Sequence, residues 1–136
     1  MTTLRTKYLG NMRTEIEHVE SGQKVITDAP VDNHGKGEYI SPTDLFVASY
    51  VSCILTIMDM AGDRHGFEIN GVFAETTKVM ASNPRRVSEM KITITLPHNN
   101  YSDKERRVIE AVPAQCPVGN SLHPEIKKEI IFVYGE

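Results

Sequence analysis

The sequence has little of several features, and each shortage excludes a class of protein. The 136-residue chain has no tryptophan and only two cysteines, Cys53 and Cys116, which lie 63 positions apart. Such a pair is not the cysteine framework of a small secreted domain, and no Cys-x-x-Cys or His-x-x-x-His spacing predicts a zinc site. The chain also lacks a Gly-x-Ser-x-Gly turn and a glycine-rich phosphate loop. Neither a serine hydrolase nor a nucleotide-binding protein is therefore indicated.

An excess of one charge and a long apolar run are also missing. The net charge is −3, and the 15 basic residues are scattered, so we expect no nucleic-acid partner. The longest uncharged apolar-rich run, residues 45–58, is shorter than the ~20 residues that cross a membrane. The first ten residues, MTTLRTKYLG, lack the apolar stretch of a signal peptide. We expect a cytoplasmic protein without membrane contact, in a compartment that keeps thiols reduced.

The length and the turn signals predict a single domain over residues 1–136 with an α+β fold and antiparallel hairpins. The predicted elements are strands over 3–28, a long loop over 28–40, a helix over 41–66, a second hairpin over 67–81 and 86–96, a helix over 102–111, a short helix over 117–124 and a strand over 129–135.

The central helix has the clearest start signal in the chain. Ser41 is a good N-cap, Pro42 suits the first helical position, and Asp44 can complete a capping box. This helix is apolar nearly all round, which is typical of a helix buried on most faces. A domain of this size can hardly bury so long a helix alone. Either a strongly curved sheet or a second subunit must cover it, and we favour a homodimer.

The two cysteines have different local surroundings. Cys53 lies deep inside the central helix, where the helix dipole acts too weakly to stabilise a thiolate. It is either an inert core residue or a reactive thiol that needs a cation from another element, such as an arginine. Cys116 directly precedes Pro117, at the N-cap of a short helix. The free N–H groups there favour a thiolate, although a small apolar residue in a turn is an equal alternative.

Two segments together resemble a known family. SPTDLFVASYVSC at 41–53 and CPVGNSLHP at 116–124 are similar in sequence and order to the OsmC/Ohr proteins, the osmotically inducible and organic hydroperoxide resistance proteins. The resemblance implies an intertwined homodimer, with antiparallel sheets wrapped around two long buried central helices. It also implies a thiol peroxidase for organic hydroperoxides. Cys53 would form a sulfenic acid, Cys116 would close a disulfide with it, and a dithiol would reduce that disulfide without a cofactor.

The resemblance also implies an arginine and a carboxylate that activate the peroxidatic cysteine. Thr43 stands where active members of the family carry a glutamate before the central helix. The carboxylates nearest in sequence are Asp44 and Glu38. Arg13, in GNMRTE of the N-terminal strands, is the candidate partner of the thiolate.

A second hypothesis follows from this departure at Thr43. The same fold could be a non-catalytic module that holds a small apolar ligand beside Cys53. The two hypotheses predict opposite results for a Cys53→Ala variant, because only the peroxidase needs the thiol.

Overall fold

The computed structural model describes all 136 residues, which fold into two compact units, residues 1–46 and residues 47–136. The first unit contains a three-stranded antiparallel sheet whose strands pair in chain order. Its strands are β1 Leu4–Gly10, β2 Arg13–His18 and β3 Lys24–Asp28, and a one-turn 3₁₀ helix, Val31–Asn33, lies in the loop that follows.

The turn between β2 and β3 sets the register of this sheet. Gly22 adopts a positive φ of 76°, and its N–H donates to the carbonyl oxygen of His18 at 2.8 Å. The resulting register places Arg13 directly opposite Asp28. The predicted hairpin at Ser21-Gly22 is confirmed. At the end of the hairpin away from this turn, the opposite charges of Arg13 and Asp28 lie side by side.

The second unit contains most of the helical structure. Helix α1, Pro42–His65, begins in the first unit and continues through the second. The other elements are β4 Phe73–Ala81, β5 Arg86–Leu96, α2 Asp103–Ala111, a 3₁₀ turn Val112–Gln115, α3 Pro117–Asn120 and β6 Lys127–Tyr134. The prediction of an α+β fold is confirmed.

The sheet of the second unit is mixed, which corrects the prediction of antiparallel sheets. Strands β4 and β5 form the predicted antiparallel hairpin, but β6 pairs with β5 in parallel, with Ile92 opposite Ile130. A parallel pair needs a long crossover connection. Residues 97–126, with α2 and α3, supply it.

The core of the second unit lies between the sheet and one face of α1. Strand β5 buries alternate side chains, including Met90, Ile92, Ile94 and Leu96, as its period-two pattern predicts. Helix α1 contributes a buried stripe at helical spacing, which includes Val47, Ile54, Met58 and Ala61. Within the single chain, therefore, only one face of α1 is fully buried.

Two predicted boundaries are wrong. Residues 67–72 form turns rather than the start of β4, because Gly66 and Gly71 adopt positive φ angles of 80° and 95° that an extended strand does not allow. The short helix ends at Asn120 and does not continue to residue 124.

Helix α1 is long and apolar enough to cross a membrane by length and composition. Its most apolar 18-residue window has a mean hydropathy of 1.7 and is 39% buried within the chain. The core helix of a soluble protein can have the same length and composition. The expectation of no membrane contact therefore stays a prediction.

Candidate active site: a pair of thiols

The second unit brings the two cysteines together, although they are 63 positions apart in the sequence. Cys53 lies in α1 and is half-buried, whereas Cys116 is fully buried at the start of α3. Cys53 is near enough to the Cys116 thiol to raise the pKa of that thiol, and no disulfide joins the two cysteines. The two thiols are therefore neighbours in the folded chain.

Local sequence explains how Cys116 is held. It is the N-cap residue of α3, with Pro117 at the first helical position, as predicted. Its sulfur accepts a hydrogen bond from the N–H of Gly119 at 3.4 Å, and its carbonyl oxygen accepts one from Asn120 at 2.9 Å. The turn thus fixes both the backbone and the side chain of this cysteine.

The pKa of Cys116 bears on the two alternatives for this residue, a thiolate at an N-cap and a small apolar residue in a turn. Burial is the largest influence and raises the pKa of the Cys116 thiol, and the neighbouring Cys53 raises it further. The N–H groups of Gly119 and Val118 lower the pKa, as the N-cap position predicts, but they do not outweigh burial. Cys116 is therefore a thiol that keeps its proton more firmly than an exposed cysteine.

Tyr50 is a neighbour of both thiols that sequence reasoning did not identify as part of the site. It lies one helical turn before Cys53 in α1 and is only 2% exposed. Burial raises the pKa of the Tyr50 phenol, and the charges of Cys116 and Cys53 add to this shift. The available signal was the spacing of three residues between Tyr50 and Cys53, which places both on one side of a helix.

The first unit holds a separate charged cluster around Arg13. The guanidinium Nη2 of Arg13 lies 3.0 Å from Asp28 Oδ2 and 3.2 Å from Glu38 Oε1. The backbone N–H of Glu38 also donates to Asp28 Oδ2, at 3.1 Å, and the guanidinium carbon lies 4.7 Å from the ring centroid of Tyr39. Two of the predicted residues, Arg13 and Glu38, therefore form an arginine–carboxylate pair.

Asp28 is the anchor of this cluster and was missed in the sequence. Its burial would raise the carboxyl pKa, but the hydrogen bonds from Arg13 and Glu38 and the charge of Arg13 lower the pKa overall. In return, the hydrogen bond to Asp28 is the largest cause of the raised pKa of Arg13. Asp28 thus remains ionised and holds the guanidinium in place.

Asp44 caps the start of α1. Its carboxylate accepts a hydrogen bond from the N–H of Ser41 at 3.2 Å, and the hydroxyl of Ser41 accepts one from the N–H of Asp44 at 3.0 Å. This is the predicted capping box. The side chain of Thr43, at the position of the family glutamate, lies 3.3 Å from the Ser41 hydroxyl.

The sequence profile of OsmC-like proteins matches residues 35–130 of this chain. The chain belongs to the OsmC-like family. Residues 35–130 include both cysteines, so the family assignment covers the thiol pair as well as most of the chain. Among curated proteins, none matches this chain.

Solved structures of OsmC-like and related proteins share the fold. A candidate osmotic stress induced and detoxification response protein from Psychrobacter arcticus 273-4 is 45% identical, with a TM-score of 0.91 over 97% of this chain and 96% of that one. An organic hydroperoxide resistance protein OsmC from Legionella pneumophila is 15% identical, with a TM-score of 0.73 over 96% of each chain. An organic hydroperoxide resistance protein from Elizabethkingia anophelis is 16% identical, with a TM-score of 0.70 over 98% and 97%. The last two likenesses concern the fold alone.

Proposed function

We propose that this OsmC-like protein is a thiol-dependent peroxidase that reduces organic hydroperoxides to alcohols in oxidative-stress defence. The observation that carries the proposal is that an OsmC-like chain brings its two free cysteines, Cys53 and Cys116, next to each other. A disulfide requires two cysteines that the fold places next to each other. The names of the Legionella and Elizabethkingia structures supply the substrate class.

The surroundings of the two thiols support different tasks for them. Cys53 is half-buried and so remains open to a substrate, whereas Cys116 is fully buried and its pKa is raised. In the proposed first step the Cys53 thiolate attacks the distal oxygen of the hydroperoxide, which is the oxygen that carries the hydrogen. The O–O bond breaks, the sulfur becomes a sulfenic acid, and the other oxygen leaves as the alcohol after taking up a proton.

The second step closes the disulfide. The sulfur of Cys116 attacks the sulfenic sulfur of Cys53, its proton goes to the leaving hydroxide, and one water molecule is released. A dithiol reductant then exchanges with the Cys53–Cys116 disulfide, which restores both thiols and leaves the reductant oxidised. The cycle needs no cofactor.

The roles of the charged residues belong to the same proposal. Arg13 is the proposed cation that stabilises the Cys53 thiolate, and Glu38 the carboxylate that orients the guanidinium. The ion pair of Arg13 with Glu38 and Asp28 supports a fixed guanidinium. Asp44 is the alternative carboxylate, although its capping of α1 already accounts for its position. The homodimer and the cytoplasmic location are likewise proposed.

Consumption of cumene hydroperoxide in the presence of dithiothreitol tests the function. We expect wild-type turnover, a background rate for Cys53→Ser, and a slower rate for Cys116→Ser because its sulfenic acid must be reduced without the internal disulfide. A wild-type rate in Cys53→Ser would contradict the proposal. No turnover in the wild type, with an apolar ligand still bound by Cys53→Ala, would favour the non-catalytic binding module instead.

A further inference from the structure

The ring of Tyr50 occupies the space beside Gly119, in the turn that carries Cys116. A Cβ atom added at Gly119 would lie 2.7 Å from Tyr50 Cε1 and 3.5 Å from Tyr50 Cδ1. Carbon atoms in good contact are ~3.5–4.0 Å apart, so there is no room for a side chain between the Gly119 backbone and the Tyr50 ring. The third neighbour is the carbonyl oxygen of Pro113, also at 3.5 Å.

The turn beside the Tyr50 ring also holds the sulfur of Cys116. The N–H of Gly119 donates to the sulfur of Cys116. The electrostatic neighbours of Cys116 include Cys53, which lies one turn after Tyr50 in α1. Tyr50 thus supports the Cys116 turn from the same helix that carries Cys53. The separation of the two sulfur atoms depends on how closely the turn approaches this ring.

The Tyr50 ring has little freedom to move. It is 2% exposed within the core of the second unit, and the ammonium of Lys128 in β6 lies 5.9 Å from its ring centroid. A side chain added at Gly119 would therefore displace the turn rather than push the ring into solvent. The displacement would be roughly 0.8 Å, from 2.7 Å to an ordinary contact of ~3.5 Å.

We propose that Tyr50 and Gly119 are positioning residues that hold Cys116 against Cys53 and so set how readily the disulfide closes. The ring carries this role, because the close contacts at Gly119 are to ring carbons and not to the hydroxyl. The inference rests on the proposed pairing of the cysteines, but it does not depend on the oxidant. It predicts variants in which Cys53 is still oxidised while the disulfide closes poorly.

The chain offers variants that separate positioning from general destabilisation. Gly119→Ala adds one methyl group against the ring, Tyr50→Leu removes the ring, and Tyr50→Phe keeps the ring without the hydroxyl. Gly62→Ala is the matched control, because its added Cβ would lie 2.5 Å from the carbonyl oxygen of Phe67, in the same unit but away from the thiols.

Equilibration in mixtures of reduced and oxidised glutathione measures the positioning without any peroxide. One oxidised glutathione takes the hydrogens of both thiols and becomes two reduced glutathiones as the Cys53–Cys116 bond forms. The equilibrium constant gives the effective concentration of one thiol at the other, and intact mass counts the disulfide. Urea unfolding of each variant records its stability in parallel.

We expect Gly119→Ala and Tyr50→Leu to lower this effective concentration about tenfold or more, since an ångström of misplacement costs this much or more. Tyr50→Phe and Gly62→Ala should stay within about twofold of wild type. In the double variant Tyr50→Leu/Gly119→Ala the added methyl should have a smaller effect than in the wild type.

Two results would overturn the inference. The first is an effective concentration in Gly119→Ala and Tyr50→Leu equal to that of Gly62→Ala at similar stability. The second is the absence of any disulfide in the wild type under oxidised glutathione, which would also overturn the proposed function. A wild type that forms the disulfide but does not consume hydroperoxide would contradict only the proposed function, and the positioning role would stand.

Discussion

The environment of Cys116 suits only one of the two proposed reactions, the attack on a sulfenic acid. Its thiol is raised in pKa by burial and by Cys53, so it is poorly suited to attack a peroxide from solvent. In the proposed mechanism, Cys116 attacks only the sulfenic acid that forms on the neighbouring Cys53. The burial of the two cysteines is therefore consistent with the proposed order, in which Cys53 attacks first and Cys116 second.

The raised pKa of Cys116 predicts a pH dependence of stability. A thiol with a higher pKa in the folded state binds its proton more tightly there than in the unfolded chain. Its contribution is complete below the unfolded value of ~8.5 and is lost as the pH rises through the folded value. Between pH 7 and pH 10, the free energy of unfolding should fall more steeply in the wild type than in Cys116→Ala, as measured by urea unfolding. Parallel pH profiles would contradict the assignment.

The two missed residues show the limit of single-residue reasoning. Asp28 was missed because a two-residue turn at Ser21-Gly22 would place Arg13 opposite Pro30. The actual connection, residues 19–23, places Arg13 opposite Asp28. The contact between Tyr50 and Gly119 joins residues that are 69 positions apart. No local pattern encodes a contact of that kind, so only the folded chain shows it.

At the scale of elements, the sequence predicted best where a local signal was complete. The cap at Ser41 and Asp44 located the start of α1, and the alternation along β5 identified its buried face. The direction of β6 could not be read in this way. Its parallel pairing with β5 depends on how residues 97–126 cross the unit, and a strand's own sequence does not determine its direction in a sheet.

Helix α2 has a capping box that can be tested alone. The hydroxyl of Ser102 accepts a hydrogen bond from the N–H of Glu105 at 3.1 Å, and the carboxylate of Glu105 accepts one from the N–H of Ser102 at 2.8 Å. We expect Ser102→Ala to lower the free energy of unfolding by about 1 kcal/mol, and Ser102→Gly to lower it by only a few tenths. Chemical denaturation measures both. An unchanged free energy of unfolding in Ser102→Ala would contradict a stabilising role for the cap hydrogen bond.

At the scale of the whole molecule, α1 supports the proposed homodimer. The single chain leaves large apolar side chains of this helix exposed, with Phe46 at 41% and Met60 at 53%. A second copy would remove this apolar surface from water, which favours association. The family resemblance of the 41–53 segment implies such a dimer.

Light scattering after size exclusion tests the dimer. We expect a mass of twice the 15.2 kDa of one chain at micromolar concentration. Met60→Glu should shift the mass toward that of the single chain, because a carboxylate is costly to bury in an apolar interface. Asp63→Asn, which changes an exposed residue near the end of the same helix, should leave the mass unchanged. A wild-type mass of one chain would contradict the dimer.

Cys53 and Cys116 are the proposed redox pair, and the mass of the intact chain after peroxide treatment is the most direct test of this pairing. One equivalent of cumene hydroperoxide should remove two hydrogens from the wild-type chain as the disulfide closes. The same treatment should add one oxygen to Cys116→Ser, as the sulfenic acid of Cys53, and leave Cys53→Ser unchanged. Two free thiols in the wild type after peroxide, with no change in mass, would contradict the account.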